Sequence, residues 1–266
     1  MSLLQILVMG VVQGITEFLP ISSDGHLVLT AAIFQALGHP LHELLDVEIV
    51  LHAGTLATMI VYFWPQIVQA VRQDWRVIGL IVVGTIPAVL IGLPAKKFAS
   101  HWLEDPKLAG PMLIVNGAVL LWAIRRPVGE RPYQGLSWRE VLLIGTAQAL
   151  AILPGISRSG STVAVALALG LRREAAANFS FLLGIPAIAG ACTLSFLKLL
   201  GAGEGLHTNT SYLLAGAVVA FVVGLGAVRW LIAWLVQGRL HWFAYWCFAV
   251  GAGLAGWQLA KSYSSL

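Results

Sequence analysis

The chain has 266 residues, of which 58% are hydrophobic and 11% charged, with a formal net charge of +4 and a mean hydropathy of +0.84. A soluble domain carries about 25% charged residues, so this composition excludes a soluble enzyme, a disordered chain and a nucleic-acid-binding domain. The small excess of Lys and Arg fits the basic loops of a membrane protein, and Cys192 and Cys247, both inside apolar runs, read as core residues rather than a disulfide framework.

Met1–Thr16 has no basic leader and no small-residue cleavage site, so it reads as a retained apolar segment rather than a signal peptide. A span needs about 20 apolar residues. Six stretches approach that scale without charge: Ile49–Val71, Val77–Ala95, Leu108–Ile124, Ala175–Leu197, Gly205–Val228 and Leu240–Ala260. Four apolar segments are too short or too interrupted to cross: Ser2–Leu19, His26–Leu37, Val141–Leu153 and Thr162–Leu171. They fall in two pairs, each joined by a helix breaker and a polar turn, Pro20–Gly25 and Pro154–Ser161. Such a pair predicts a re-entrant hairpin, because non-helical backbone at membrane depth must be buried in protein or line a wet cavity.

The two joints echo each other. Gly10, Gln13, Pro20, Ser22 and Gly25 return as Gly145, Gln148, Pro154, Ser157 and Gly160, at an offset of about 135. Downstream, Gly54, Gly84 and Gly117 fall on Gly184, Gly216 and Gly251. The expected fold is therefore an all-α integral membrane protein of two repeats, with six transmembrane helices and two re-entrant helical hairpins. The first repeat covers residues 1–126, with its hairpin at about 2–37; a basic linker covers 127–139; the second repeat covers 140–266, with its hairpin at about 141–171. Three spans per repeat is an odd number, so the second enters the membrane inverted, as in many transporters. On that threading one face gathers ten Lys and Arg and the other five. The positive-inside rule then puts both termini outside the cytoplasm.

Ionisable groups at membrane depth are functional candidates by default. Gln13 and Glu17, i and i+4, share a helix face, and the following turn adds Ser22, Ser23, Asp24 and His26. Oxygens of Glu17 and Gln13 suit a hard divalent cation, and Ser23 or His26 suits a nucleophile or proton carrier. Asp24 reads as a cap of the next helix. In the second joint, Ser157, Arg158, Ser159 and Thr162 precede a helix expected to open near Val163, a ready anion site. The competing reading is a fixed pairing of Arg158 with Glu17 or Asp24.

Glu48 and His52 read as a packing pair at the start of a span. Trp64, Trp75, Trp102, Trp122, Trp138 and Trp242 lie near span ends, as an aromatic belt. His39, His42, His101, His207 and His241 fall in loops or at span ends and carry no signal. From physics alone the joints describe a membrane-embedded phosphate pocket, which suits either hydrolysis of a lipid phosphoanhydride or carriage of a lipid phosphate. A channel is disfavoured, since no polar face runs along the spans.

Gln13-x-x-x-Glu17, Pro20-x-Ser22-Ser23-x-Gly25-His26 and Pro154-Gly155-x-Ser157-Arg158-Ser159-x-x-Thr162 closely resemble the undecaprenyl-diphosphate phosphatase family, also called bacitracin-resistance proteins. The resemblance covers nearly the whole chain. It implies a bacterial inner-membrane enzyme that removes the terminal phosphate of undecaprenyl diphosphate, with its pocket toward the periplasm. It implies a divalent metal, with Glu17 serving metal or catalysis; by their own chemistry the Glu17 carboxylate and the neutral Gln13 oxygen as metal ligands suit Mg²⁺ or Ca²⁺. Ser23 and His26 become the nucleophile or acid–base residues, and Ser157, Arg158 and Thr162 hold the diphosphate; the neighbouring hydroxyls of Ser22 and Ser159 are expected to join them. The expected partners are the lipid substrate, the bilayer and a second copy of the chain, with no nucleic acid. Many members carry Glu where this chain has Gln13, so anionic roles fall on Glu17 alone; Asp24 is also unusual at its position.

Overall fold

The computed structural model describes residues 1–41, 44–98, 105–201 and 208–264. Among them the chain is helical, apart from turns and one isolated bridge between Arg131 and Leu171. The helices are α1 (Leu3–Thr16), α2 (Ser23–Ala36), α3 (Leu44–Tyr62), α4 (Trp64–Gln73), α5 (Trp75–Phe98), α6 (Ala109–Ile124), α7 (Trp138–Leu150), α8 (Arg158–Ala168), α9 (Arg173–Gly201), α10 (Thr210–Val236) and α11 (Leu240–Ser264). His42, His101, Trp102 and His207 lie outside the described residues.

Among the described residues four stretches are long and apolar enough to cross a membrane: Trp75–Ala95, Pro106–Ile124, Arg173–Leu197 and Thr210–Val236. The predicted straight span Ile49–Val71 is corrected. It breaks at Phe63 into α3 and α4, bent by 62°. Pro65 causes the break: it cannot donate to the Val61 carbonyl, and its ring collides with that turn. The pair makes a fifth crossing only if both pieces count as one. α4 carries Gln66, Gln69, Arg72 and Gln73 among its apolar residues, the mixture of a helix lying along an interface. The sixth predicted span, α11, has 25 residues. Its length suffices, but His241, Trp242, Tyr245 and Trp246 lower its hydropathy.

Short helices border the two joints. α1 and α7 begin with the same device, a capping box in which Ser2 pairs with Gln5 and Ser137 with Glu140. α2 and α8 end alike, at Leu37 and Leu169, each followed by a glycine at positive φ, Gly38 and Gly170. α1 packs against α3 and α10, α7 against α5, and α6 against α11. Small residues let these backbones approach. A Cβ on Gly10 would meet the Gly216 carbonyl, and one on Gly145 would meet the Gly84 carbonyl. Behind the joints Phe181 stacks on Phe63 and packs at a tilt against Phe18 in the buried core.

Candidate active site

The chain reverses between α1 and α2 through Glu17–Ser22, and between α7 and α8 through Ala151–Ser157. Ser22 caps α2 by accepting from the Gly25 N–H, and Ser157 caps α8 by accepting from the Gly160 N–H. Two sequence expectations are therefore corrected. α8 opens at Arg158, not near Val163, because Ser157 caps it by satisfying the free amide of its third residue, Gly160. Ser22, not Asp24, makes the cap; Asp24 sits exposed in the first turn of α2. Ser22 has φ +68°, a strained value for a residue with a Cβ, whereas the second joint meets a similar need with Gly155 at φ +99°.

The two joints touch. A Cβ on Gly25 would stand 3.3 Å from Gly155 Cα, and one on Gly160 would stand 3.2 Å from Pro20 Cβ. Asn116 of α6 ties them: its Nδ2 donates to Pro20 O at 2.9 Å, and its Oδ1 accepts from the Ser157 N–H at 3.0 Å. Asn116 is fully buried and was not singled out from the sequence. Its only signal there is a lone amide in an apolar span.

Glu17 is the hub. Its Oε1 accepts from Arg158 Nη2 at 2.7 Å, and its Oε2 accepts from Gln13 Nε2 at 3.1 Å and from Ser23 Oγ at 2.9 Å. His52 Nε2 stands 3.7 Å from the same oxygen, with its Nδ1 2.8 Å from Glu48 O. His52, read above as a packing residue, thus belongs to the site. The pairing of Arg158 with Glu17, the competing sequence reading, is present. It leaves Arg158 Nη1 buried with no hydrogen-bond partner. Gly184 makes the space for that guanidinium, since a Cβ there would collide with Nη1.

The remaining predicted residues are held close by. Ser157 Oγ and Ser159 Oγ are 3.2 Å apart, and Ser159 Oγ donates to Phe18 O at 3.4 Å. Thr162 is fully buried and bonds to Arg158 O, Ser159 O and the Ser180 hydroxyl. It therefore braces α8 against α9. His26 Nδ1 lies 2.8 Å from Ser22 O, and its Nε2 accepts from Trp246 Nε1 of α11 at 2.8 Å, the two rings being nearly coplanar at 10°. The two bonds together assign a neutral ring with its proton on Nδ1.

A divalent cation would find oxygen ligands here. Gln13 Oε1 is buried without a partner, one helical turn from Glu17. Among the described residues no group of three or more His, Cys, Asp or Glu is gathered for a metal. The described residues thus offer one carboxylate and one amide oxygen here, a sparse set that Mg²⁺ accepts when phosphate and water complete its shell.

The model of the bacitracin resistance protein BacA family matches residues 6–253. An undecaprenyl-diphosphatase of Rhodopirellula baltica is 48% identical over 250 residues, covering 94% of this chain and 96% of its own. One of Desulfatibacillum aliphaticivorans is 44% identical over 277 residues, covering 95% and 97%. One of Carboxydothermus hydrogenoformans is 37% identical over 265 residues, covering 99% and 100%. The match runs through both polar joints and every helix between them, and the chain belongs to the bacitracin resistance protein BacA family.

Proposed function

We propose that this chain is an undecaprenyl-diphosphatase, which hydrolyses undecaprenyl diphosphate to undecaprenyl phosphate and inorganic phosphate. The observation that carries the reading is the Ser23–Glu17–Arg158 arrangement: a hydroxyl bonded to a carboxylate, beside a guanidinium with one free, buried nitrogen. A carrier that only moved a lipid phosphate would need the cation but not the serine–carboxylate pair.

Ser23 is the nucleophile in this reading. Its Oγ donates to Glu17 Oε2, so the carboxylate takes the proton as Oγ attacks the terminal phosphorus. The P–Oγ bond forms, the bridging P–O bond breaks, and undecaprenyl phosphate leaves. Water then cleaves the phosphoserine. Arg158 turns its free Nη1 to the diphosphate and stabilises charge on the equatorial oxygens, and Ser157, Ser159, Thr162 and Ser22 frame the phosphate's seat. His26 is an unsuitable attacker, because Trp246 occupies its Nε2 lone pair. Glu17 and Gln13 would hold Mg²⁺ or Ca²⁺, which supplies further positive charge against the diphosphate when bound.

The same reading takes the fold as two inverted repeats, each a re-entrant hairpin with three crossings. The matching capping boxes of α1 and α7 and the matching glycine contacts support it. The pocket opens to the periplasm of a bacterial inner membrane with both termini on that side, and the protein works as a homodimer. Site-directed labelling of single cysteines near the termini reads the orientation, and mass measurement in nanodiscs reads the copy number.

The decisive experiment is phosphate release from a prenyl diphosphate by the purified protein, with and without EDTA and added Mg²⁺ or Ca²⁺. Turnover that EDTA removes and metal restores is expected, with Ser23→Ala inactive and still binding the lipid. Binding without turnover selects the carrier. Glu17→Gln that keeps the parent's metal dependence and loses only rate removes Glu17 from the metal.

A further inference from the structure

An apolar groove of about 170 Å³ runs between α2 and α11, lined by Leu29, Ala32, Ile33, Gly253, Leu254 and Trp257. Its place follows from helix geometry. His26, Leu29, Ile33 and Ala36 recur on one face of α2, and Trp246, Gly253 and Trp257 recur on one face of α11. His26 and Trp246, bonded to each other, lie toward the end of the groove nearer the joint. The groove therefore starts one helical turn beyond the joint and continues for about 10 Å along α2 at 1.5 Å per residue.

We infer that this groove seats the part of the polyprenyl chain next to the diphosphate. The inference rests on the phosphatase reading, and three features of the groove point to the occupant. The substrate's phosphates and its first isoprene unit are covalently joined, so the chain must leave the polar joint at once, and the groove adjoins that joint. The named lining residues are all apolar. Its edge is open, with Ile33 52% and Trp257 39% exposed, so a long chain can pass sideways into the bilayer. A pocket that encloses a drug-sized ligand measures about 300–1,000 Å³; this smaller one suits the first carbons only and leaves the rest of the tail in lipid. Recognition of the tail then comes from the few carbons nearest the phosphates.

Gly253 provides the test, because a Cβ there meets nothing within 4 Å. Gly253→Phe fills the groove without displacing backbone. The control is Gly226→Phe on α10, where a Cβ also meets open space. The assay compares kcat/KM for undecaprenyl diphosphate with that for methyl diphosphate, which lacks the first isoprene unit, using the full chain in nanodiscs. The expected result is a fall of about tenfold in the long-to-short ratio for Gly253→Phe, carried by KM, and the parent's ratio for Gly226→Phe. An undiminished ratio, or equal losses on both substrates, overturns the proposal. A prenyl diphosphate with a photoreactive group on its first isoprene unit should label peptides of α2 and α11; labelling elsewhere also overturns it. A parent protein that hydrolyses neither substrate but labels at the groove removes the phosphatase reading and leaves the groove.

Discussion

Arg158 has its two terminal nitrogens in different states: Nη2 on Glu17, Nη1 buried and bare. That asymmetry separates a clamp from a strut. A strut would satisfy the guanidinium on protein atoms, since breaking a buried ion pair costs about 3–5 kcal/mol. A clamp leaves one arm for the ligand. Arg158→Lys keeps the charge and loses the fork. It should lower turnover of the diphosphate about a hundredfold or more, as loss of one transition-state donor does. The melting temperature should fall little, since lysine can still reach the Glu17 carboxylate. Near-parental turnover measured by phosphate release would assign Arg158 to structure alone.

Helices decide where those side chains stand, and much of that placement was legible. The i, i+4 spacing of Gln13 and Glu17 put both on one face, and they meet at 3.1 Å. The two proline joints marked the breaks on either side of the site. Legibility stopped where distant helices meet. Asn116, His52, Ser180 and Trp246 reach the joints through tertiary packing, which no local periodicity encodes. The bend at Phe63 was readable from Pro65 but was masked by an unbroken apolar run. Asn116 gives the element-scale prediction. It holds Pro20 O and the Ser157 N–H at once, and a stranded buried backbone group costs about 1–3 kcal/mol. Asn116→Ala should therefore lower the melting temperature and loosen both joints together. The check is hydrogen exchange at 17–23 and 151–160, which should accelerate in both segments; acceleration in only one would mean that the joints are braced separately.

At the scale of the molecule, the segment 127–139 is strapped down. Arg131 bonds both carboxylate oxygens of Glu140 at 2.8 and 3.2 Å, and its main chain bridges to Gly170 O and the Arg172 N–H. Glu140 lies at the start of α7, outside the crossing helices. The hydrogen bond from Arg131, with those of Ser137, lowers its carboxyl from 4.5 to about 2. A carboxyl depressed in the folded protein stabilises it above the unfolded value and ceases to do so as pH falls through the folded one. The strap's contribution is thus complete above about pH 4.5 and lost by about pH 2. Because Arg131 is 45% exposed, the effect is screened and modest. Glu140→Gln should lower the melting temperature at neutral pH and flatten its decline between those two values. A variant whose decline parallels the parent's would show that other carboxylates carry the acid sensitivity.

The shortness of α1 and α7 has an electrical consequence. With 14 and 13 residues, each extends only about 20 Å at 1.5 Å per residue, against a hydrocarbon thickness of about 30 Å. On the proposed re-entrant fold, a joint at the end of such a helix lies inside the transmembrane field. A full crossing by one elementary charge is worth about 2.3 kcal/mol per 100 mV, and a phosphate group descending part of the way experiences a fraction of that. On the proposed orientation, with the pocket open to the outside, a negative interior opposes entry of the anion and assists release of inorganic phosphate. In proteoliposomes polarised by a potassium gradient and valinomycin, KM for the lipid diphosphate should rise as the interior becomes more negative and recover when the gradient is collapsed. A KM that ignores the voltage would place the reacting phosphates at the membrane surface, outside the field.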